Sequence, residues 1–236
     1  MRYLTELHAH TSEVSPCGDL TACEVADRYI AAGYTSLVIS NHYTQGILEN
    51  AADTPEKRID FYVAPYLAMK EHARGKLNVI LGCELRFTGS SNDYLVFGIT
   101  EQFLREHPDL YNMNLKSFRA LADENGLLIV QAHPFRNGMT VMNPTLLDGV
   151  ETFNGHQGHE SRNTVAQAWA KLHDLIPTSG TDFHHPYQEC VAGILTDSPI
   201  TCTEDLIATL KSRNYTLHCA GPRSEAEGIT DHPAKY

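Results

Sequence analysis

The chain has no CxxC pair. Its six cysteines stand at 17, 23, 83, 190, 202 and 219, which excludes a zinc ribbon or a thioredoxin-like dithiol. It is short of bases: 18 Lys and Arg face 29 Asp and Glu, a formal charge of −11. Bulk attraction to a phosphate backbone is therefore missing, and long nucleic acid is not an expected partner. No apolar run reaches the roughly 18 residues a membrane helix needs. The opening stretch Met1-Arg2-Tyr3-Leu4-Thr5-Glu6 is polar, with no signal-peptide core. A soluble, cytoplasmic protein with no membrane partner is expected. There is no Gly/Ser linker, no low-complexity tract and no internal repeat, so residues 1–236 read as one domain.

What is present is a core-forming composition, 42% apolar and 20% charged, and thirteen histidines. Short β-type runs alternate with amphipathic helical stretches. The strand-like runs are Tyr3 to His10, Thr35 to Ser40, Leu77 to Leu85, Tyr94 to Ile99, Leu127 to Gln131, Gly149 to Phe153 and Ile176 to Thr181. Val191 to Thr196 is a possible extra strand, and Tyr215 to Cys219 closes the pattern. Between them, Thr21 and Glu24 form a capping box for a helix ended by Gly33. Thr54-Pro55-Glu56 opens a long helix to about Arg74, which Pro65 is expected to kink or split. Asn114 caps another, ended by Gly126. Ser161 to Leu172 reads as a helix with Val165, Trp169 and Leu172 inward, and Thr203 to Arg213 as a last one. Strand alternating with helix over more than 200 residues means α/β. Seven units suggest a barrel more than an open doubly wound sheet.

The polar residues fall where a barrel would use them. Leu4 to Leu7 runs into His8-Ala9-His10, Leu37 to Ile39 into Asn41-His42, and Val79 to Leu81 into Cys83-Glu84. Leu128 to Val130 runs into His133-Pro134, and Ile176 to Thr178 leads to Asp182-Phe183-His184. In βα barrels the C-terminal strand ends ring one mouth, where the active site sits. Residues i and i+2 of a strand share a face, so His8 with His10, and Asp182 with His184, can each point two ligands at one cation. Two such pairs plus three single ligands point to a metal cluster rather than to packing.

These motifs, Glu6-Leu7-His8-Ala9-His10-Thr11, Ser40-Asn41-His42, Gly82-Cys83-Glu84, Ala132-His133-Pro134, Val150-Glu151-Thr152-Phe153-Asn154 and Ser179-Gly180-Thr181-Asp182-Phe183-His184, resemble in order and context the PHP (polymerase and histidinol phosphatase) family. The resemblance spans nearly the whole chain. It implies a single PHP-type catalytic domain, a distorted (β/α)7 TIM-like barrel holding two or three divalent metals (Zn, Mn or Fe), and phosphoester hydrolysis. By the same resemblance His8, His10 and Asp182 are ligands of a first metal. Glu84 is a bridging carboxylate, His133 serves a second metal, and His42 and His184 hold a third. Many members carry an Asp soon after the first His-x-His. Here that segment is Thr11-Ser12-Glu13-Val14-Ser15-Pro16-Cys17-Gly18. Either Glu13 or Cys17 can substitute, and Glu13 is favoured because a hard oxygen donor suits Mn, Fe and Zn alike. Asp93 stands near where some members place a histidine.

Such a cluster neutralises a phosphoryl group and lowers the pKa of bound water towards 7, so a metal-bridging hydroxide is the expected nucleophile. No Ser or Cys nucleophile is needed, and no base is visible in sequence for Cys17. In so acidic a chain, local arginines are informative. Arg86 and Arg136 are expected to clamp phosphate, with Arg162 and Asn154 as further substrate contacts. His156, His159 and His185 fall near the mouth. His72, His107, His173, His218 and His232 fall away from the strand ends and read as structural or exposed. The expected partner is a small phosphorylated molecule: histidinol phosphate, a nucleotide or another phosphomonoester. Two other classes fit less of the pattern. An amidohydrolase-type metal hydrolase shares the His-x-His and the late Asp, but no lysine stands at the strand ends to bridge its metals. A degenerate, non-catalytic metal-binding module is at odds with the near-complete ligand set.

Overall fold

In a computed structural model the chain is described over residues 2–220 and along the backbone of 230–233. The elements run β1 (Tyr3–Ala9), α1 (Ala22–Ala31), β2 (Ser36–Ile39), β3 (His42–Tyr43), α2 (Gln45–Ala51), α3 (Pro55–His72), β4 (Asn78–Leu81), β5 (Cys83–Leu85) and β6 (Tyr94–Phe97). There follow α4 (Glu101–Glu106), α5 (Leu115–Asn125), β7 (Leu128–Gln131), β8 (Gly149–Asn154), α6 (Asn163–His173), β9 (Ile176–Gly180), β10 (Ala192–Thr196), α7 (Thr203–Ser212), β11 (Thr216–Cys219) and β12 (Thr230–Pro233). The side chain of His232 lies outside the described residues.

The strands form two sheets, ordered β12-β11-β10-β1-β2-β4 and β3-β5-β6-β7-β8-β9. They join at two places. Only Gly82 separates β4 from β5, and the amides of Gly82 and Glu84 donate to Ile39 and Asn41 at 3.0 Å. On the other side β1 meets the end of β9 through a parallel bridge between Ala9 and Phe183, with the amides of His10 and Asp182 donating to Phe183 and His8. Backbone contact thus runs from β1 through β2/β3, β4/β5, β6, β7, β8 and β9 and returns to β1. This α/β, barrel-like arrangement departs from an all-parallel barrel at β6, which is antiparallel to both neighbours.

The core strands β2, β6, β7 and β9 are buried along their whole length, as strands covered on both faces must be. That is why β2, β6 and β7 read as near-continuous apolar runs in sequence. The helix ends follow the capping chemistry: Thr21 and Glu24 close their box on α1, and Gly126 ends α5 in the left-handed conformation.

Four readings change. The run Leu77 to Leu85 is two strands, because Gly82 passes so close to Val38 that a Cβ would lie 2.6 Å from its Cγ1. Helix α3 is one element of 18 residues with Pro65 buried inside it, neither split nor ended there. Helices α2 and α4 add to the elements expected from the sequence; each starts at a threonine cap, Thr44 and Thr100, and is too short for a periodicity to show. In α6 the buried residues are Ala166 and Ala170, while Val165 and Leu172 are exposed, Leu172 by 72%. The helix begins at Asn163 and packs through these two alanines, with Trp169 half-buried against the core as expected.

Candidate metal centre

The ends of β1, β5, β7 and β9, together with β3, deliver one cluster. His8, His10, Glu84, His133, Asp182 and His184 are all buried, and His42 is largely so. Among the described residues, four groups of three can converge on an ion, their ligand atoms within 4.8 Å of one another: His8, His10, Asp182; His8, Glu84, His133; His10, His42, His184; and His42, Glu84, Asp93. The groups share members, so the set is continuous.

Local backbone geometry makes this convergence possible. His133 and Asp182 have φ of 30° and 54°. Non-glycine residues adopt that region at a cost, and such strain gathers where side chains must be aimed. Gly180 lies so close to β1 that a Cβ there would stand 2.4 Å from His8 Cβ and 2.7 Å from Glu151 Oε1. Only glycine lets β9 approach the His8–Glu151 pair this closely.

Distances separate ligand-like pairs from ordinary hydrogen bonds. His8 Nε2 lies 3.4 Å from Glu84 Oε1 and 3.4 Å from Asp182 Oδ1, and His10 Nε2 lies 3.4 Å from Glu84 Oε2 and 3.4 Å from Asp182 Oδ1. Two donors roughly 2.0–2.1 Å from one tetrahedral ion stand about 3.4 Å apart. His8 Nε2, His10 Nε2, His42 Nδ1 and Glu84 Oε2 are buried and make no hydrogen bond, although His42 Nδ1 is 2.8 Å from Glu84 Oε2. Buried polar atoms without partners are rare and costly. Here they face one another, and a divalent cation among them would satisfy them all. The residues present therefore fit a metal cluster.

The surrounding shell is hydrogen-bonded throughout. Glu151 Oε1 lies 2.8 Å from His8 Nδ1, and its Oε2 accepts from the His133 amide and from Asn154 Nδ2 at 2.9 Å. This is the carboxylate–histidine pairing that fixes a ligating imidazole. Ser15 Oγ lies 3.1 Å from His10 Nδ1 and accepts from the His42 amide at 3.1 Å. Beneath the cluster, Glu6 accepts from the amides of Leu7, His8 and Thr181 and from the hydroxyls of Tyr29 and Thr181. Its burial still pushes its carboxyl up to about 7.

Electrostatics divide the imidazoles. Burial opposes protonation of His8, but Asp182, Glu151 and Glu84 outweigh it and hold its pKa well above the ordinary histidine range. Burial and the neighbouring His184 and His42 hold His10 well below that range. Burial works against ionising Glu84, yet His42 and His8 draw its carboxyl well below the usual carboxylate value. The site is thus an interlocked set of charges of both signs.

The remaining residues singled out in the sequence divide. Arg136 reaches the cluster: its Nη2 donates to Asp182 Oδ2 at 2.7 Å and to Asn154 Oδ1 at 2.9 Å, while its buried Nε has no partner. Asn154 also donates to Asp182 Oδ2 at 3.1 Å. Arg86 sits at the rim in a two-pronged pair with Asp93, both contacts 2.6 Å. Arg162 lies apart and holds Phe135 O and Asn137 Oδ1. Glu13 is not brought to the cluster. It is exposed, and its Oε1 accepts from the Ala22 amide at 2.8 Å, stabilising the first turn of α1. Cys17, on the same turn, is exposed. Partial burial would raise its thiol, but the imidazoles of His184 and His42 outweigh it and bring it down to about 6. Glu151, within the 150–154 motif, and Ser15 receive no role from the sequence.

No known family pattern matches the sequence, and no curated protein matches it. Solved structures do. A two-domain protein from Bacteroides vulgatus containing a predicted PHP-like metal-dependent phosphoesterase superposes with a TM-score of 0.71 at 14% identity, over 93% of this chain and 65% of that one. A protein from Bifidobacterium adolescentis assigned as a metal-dependent phosphoesterase gives 0.54 at 14% identity, over 94% and 98% of the two chains. Endonuclease Q, bound to a 27-mer duplex with an abasic lesion at its active site, gives 0.62 at 14% identity, over 90% and 57%. The chain therefore spans just under two thirds of the first of these proteins and little more than half of the last.

Proposed function

We propose that this chain, which has the fold of the PHP-like metal-dependent phosphoesterases, is a single-domain hydrolase that cleaves a small phosphorylated substrate with two or three divalent ions (Zn, Mn or Fe). The observation that carries the reading is the buried ring of unpartnered donor atoms on His8, His10, His42 and Glu84, spaced as ligands rather than as hydrogen-bond partners. His8, His10 and Asp182 would hold one ion, Glu84 and His133 a neighbour, and His42 and His184 a third. When bound, such ions neutralise the phosphoryl oxygens and activate water.

The chain's own residues do the rest. Glu151 fixes the His8 ring, and Ser15 fixes the His10 ring. Asn154 holds both Asp182 and Arg136, so its part is positioning rather than contact with substrate. Arg136 lies beside the cluster with a buried, unpartnered Nε, and a phosphoryl oxygen is the acceptor that donor lacks. Arg86, paired with Asp93 at the edge, is the outer phosphate contact. Arg162 braces the loop that carries Arg136 through Phe135 and Asn137. The acidic balance of the chain, −11, favours a small substrate over long nucleic acid.

The test is a substrate screen with protein stripped of metal and reloaded with Mn, Zn or Fe. Phosphomonoesters should turn over, and phosphodiesters more slowly. Turnover of amides or lactones with no phosphoester cleaved would move the chain to the amidohydrolase class. Inactivity with every metal and every class would leave a binding module.

A further inference from the structure

Outside the metal ring stands a second group of planar side chains. Two imidazoles flank His184, with ring centroids 5.3 Å away for His156 and 5.9 Å for His185. His156 and His185 are 6.3 Å apart, and His159 lies 4.6 Å from His156. Tyr187 stacks on His185 at 5.0 Å, with 16° between the planes. Rings therefore run without a break from the cluster to Tyr187, which is 66% exposed. Among the described residues, His156, His159 and His185 belong to none of the groups that can converge on an ion.

These rings are pinned by hydrogen bonds. His156 Nδ1 accepts from the Gly158 amide at 3.0 Å, and the His156 amide donates to Asn154 Oδ1 at 3.1 Å. Gly158 packs so close to the ring that a Cβ there would stand 2.9 Å from His156 Cε1. His185 Nδ1 lies 2.8 Å from Asp19 Oδ2, and the His185 amide donates to Gln188 Oε1 at 2.7 Å. The same buried Gln188 oxygen accepts from the His184 amide at 2.5 Å. A surface held in place before binding loses little freedom when a ligand stacks on it. Beneath the cluster, Glu6 and its donors close the floor. The alcohol part of a phosphomonoester held at the ions therefore extends the other way, past the loops after β8 and β9 that carry these rings.

We propose that His156, His185 and Tyr187 form a leaving-group subsite that selects phosphomonoesters whose alcohol carries a flat, unsaturated ring. The inference rests on the phosphoesterase reading above and narrows its substrate class. Aromatic rings attract one another in offset and edge-to-face arrangements at centroid separations of about 4.5–7 Å. The wall rings already keep such spacings among themselves, and a substrate ring would continue the series. A saturated ring of similar size offers as much apolar surface but no π-face, so it gains no such attraction.

The experiment uses the full chain loaded with Mn. Calorimetry compares benzylphosphonate with cyclohexylmethylphosphonate, neither of which can be hydrolysed. Kinetics then compare benzyl phosphate with cyclohexylmethyl phosphate, two esters of primary alcohols with closely similar leaving groups. The wild type should favour the benzyl member of each pair by roughly 2–10-fold in Kd and in kcat/KM. Tyr187→Ala and His156→Ala should each bring that ratio towards one, and Tyr187→Phe should keep it. Circular dichroism should match the wild type in all three, since neither residue lies in the hydrophobic core. Equal affinity for the two phosphonates, binding of neither, or a ratio unchanged in both alanine variants overturns the proposal. Ring-selective binding in a protein that cleaves no phosphoester would sink the phosphoesterase reading alone. Cleavage of both esters with equal kcat/KM, and equal binding of the phosphonates, would sink this one alone.

Discussion

Two buried glutamates sit a few residues from the same histidines and behave as opposites. Glu6, on β1, is fully enclosed and accepts from three backbone amides and two hydroxyls. Glu84, on β5, is equally enclosed, but its neighbours are His8, His10, His42 and His133, and one of its oxygens has no hydrogen bond. Burial alone therefore does not mark a functional acid. What marks it is the kind of neighbour: Glu6 is surrounded by donors that complete it, Glu84 by groups that compete with it for a cation. The floor of the site is saturated, and the layer above it is left open for an ion.

That contrast breaks most directly at Glu84. Glu84→Gln keeps the volume and removes the charge. It should lower both bound metal and phosphoester turnover, the latter by several kcal/mol of lost charge stabilisation, roughly 10²–10³-fold, with the thermal midpoint of the metal-free protein moving far less. Metal analysis and kinetics on the same preparation check it, and wild-type metal content would remove Glu84 from the ligand set. Glu6→Ala should do the reverse. Each donor left unpaired in the interior costs about 1–3 kcal/mol, so denaturant unfolding should show a loss of at least about 3 kcal/mol while the surviving folded fraction still binds metal. Glu151→Gln lies between the two classes. It should weaken metal affinity roughly 10–100-fold through a loosened His8 ring, with folding little changed, as competition against a chelator would show. Smallest of all is Glu13→Gln. It weakens one contact to the first turn of α1 and should cost under about 1 kcal/mol, with metal stoichiometry equal to wild type.

Much of this is legible in the chain. The alternation of apolar runs and capped helices points to the α/β architecture, because buried strands and capping residues each obey local rules. His8, His10, His42, Glu84, His133, Asp182 and His184 are legible because each follows a strand, and strand ends of such a fold converge. The failures have physical causes too. Donor hardness favours Glu13, but its carboxylate is taken by the Ala22 amide at the start of α1, a contact that leaves no mark on composition. The partner of Arg86 is also invisible in sequence: Asp93, seven residues later, meets it across the β5–β6 pairing. Size points to Val165 and Leu172 as inward on α6, whereas Ala166 and Ala170 are the buried residues and only Trp169 of the large ones packs on the core.

The left-handed backbone at Asp182 also restricts which side chains can be exchanged there. With φ at 54°, the position suits aspartate, asparagine or glycine and resists β-branched residues. Asparagine is therefore the one uncharged isostere available, while valine, isoleucine and threonine would disturb the chain before any question of chemistry arose. A library built to alter metal preference has little room at this corner of the ring, and its diversity belongs at position 93, where the main chain imposes no such restriction.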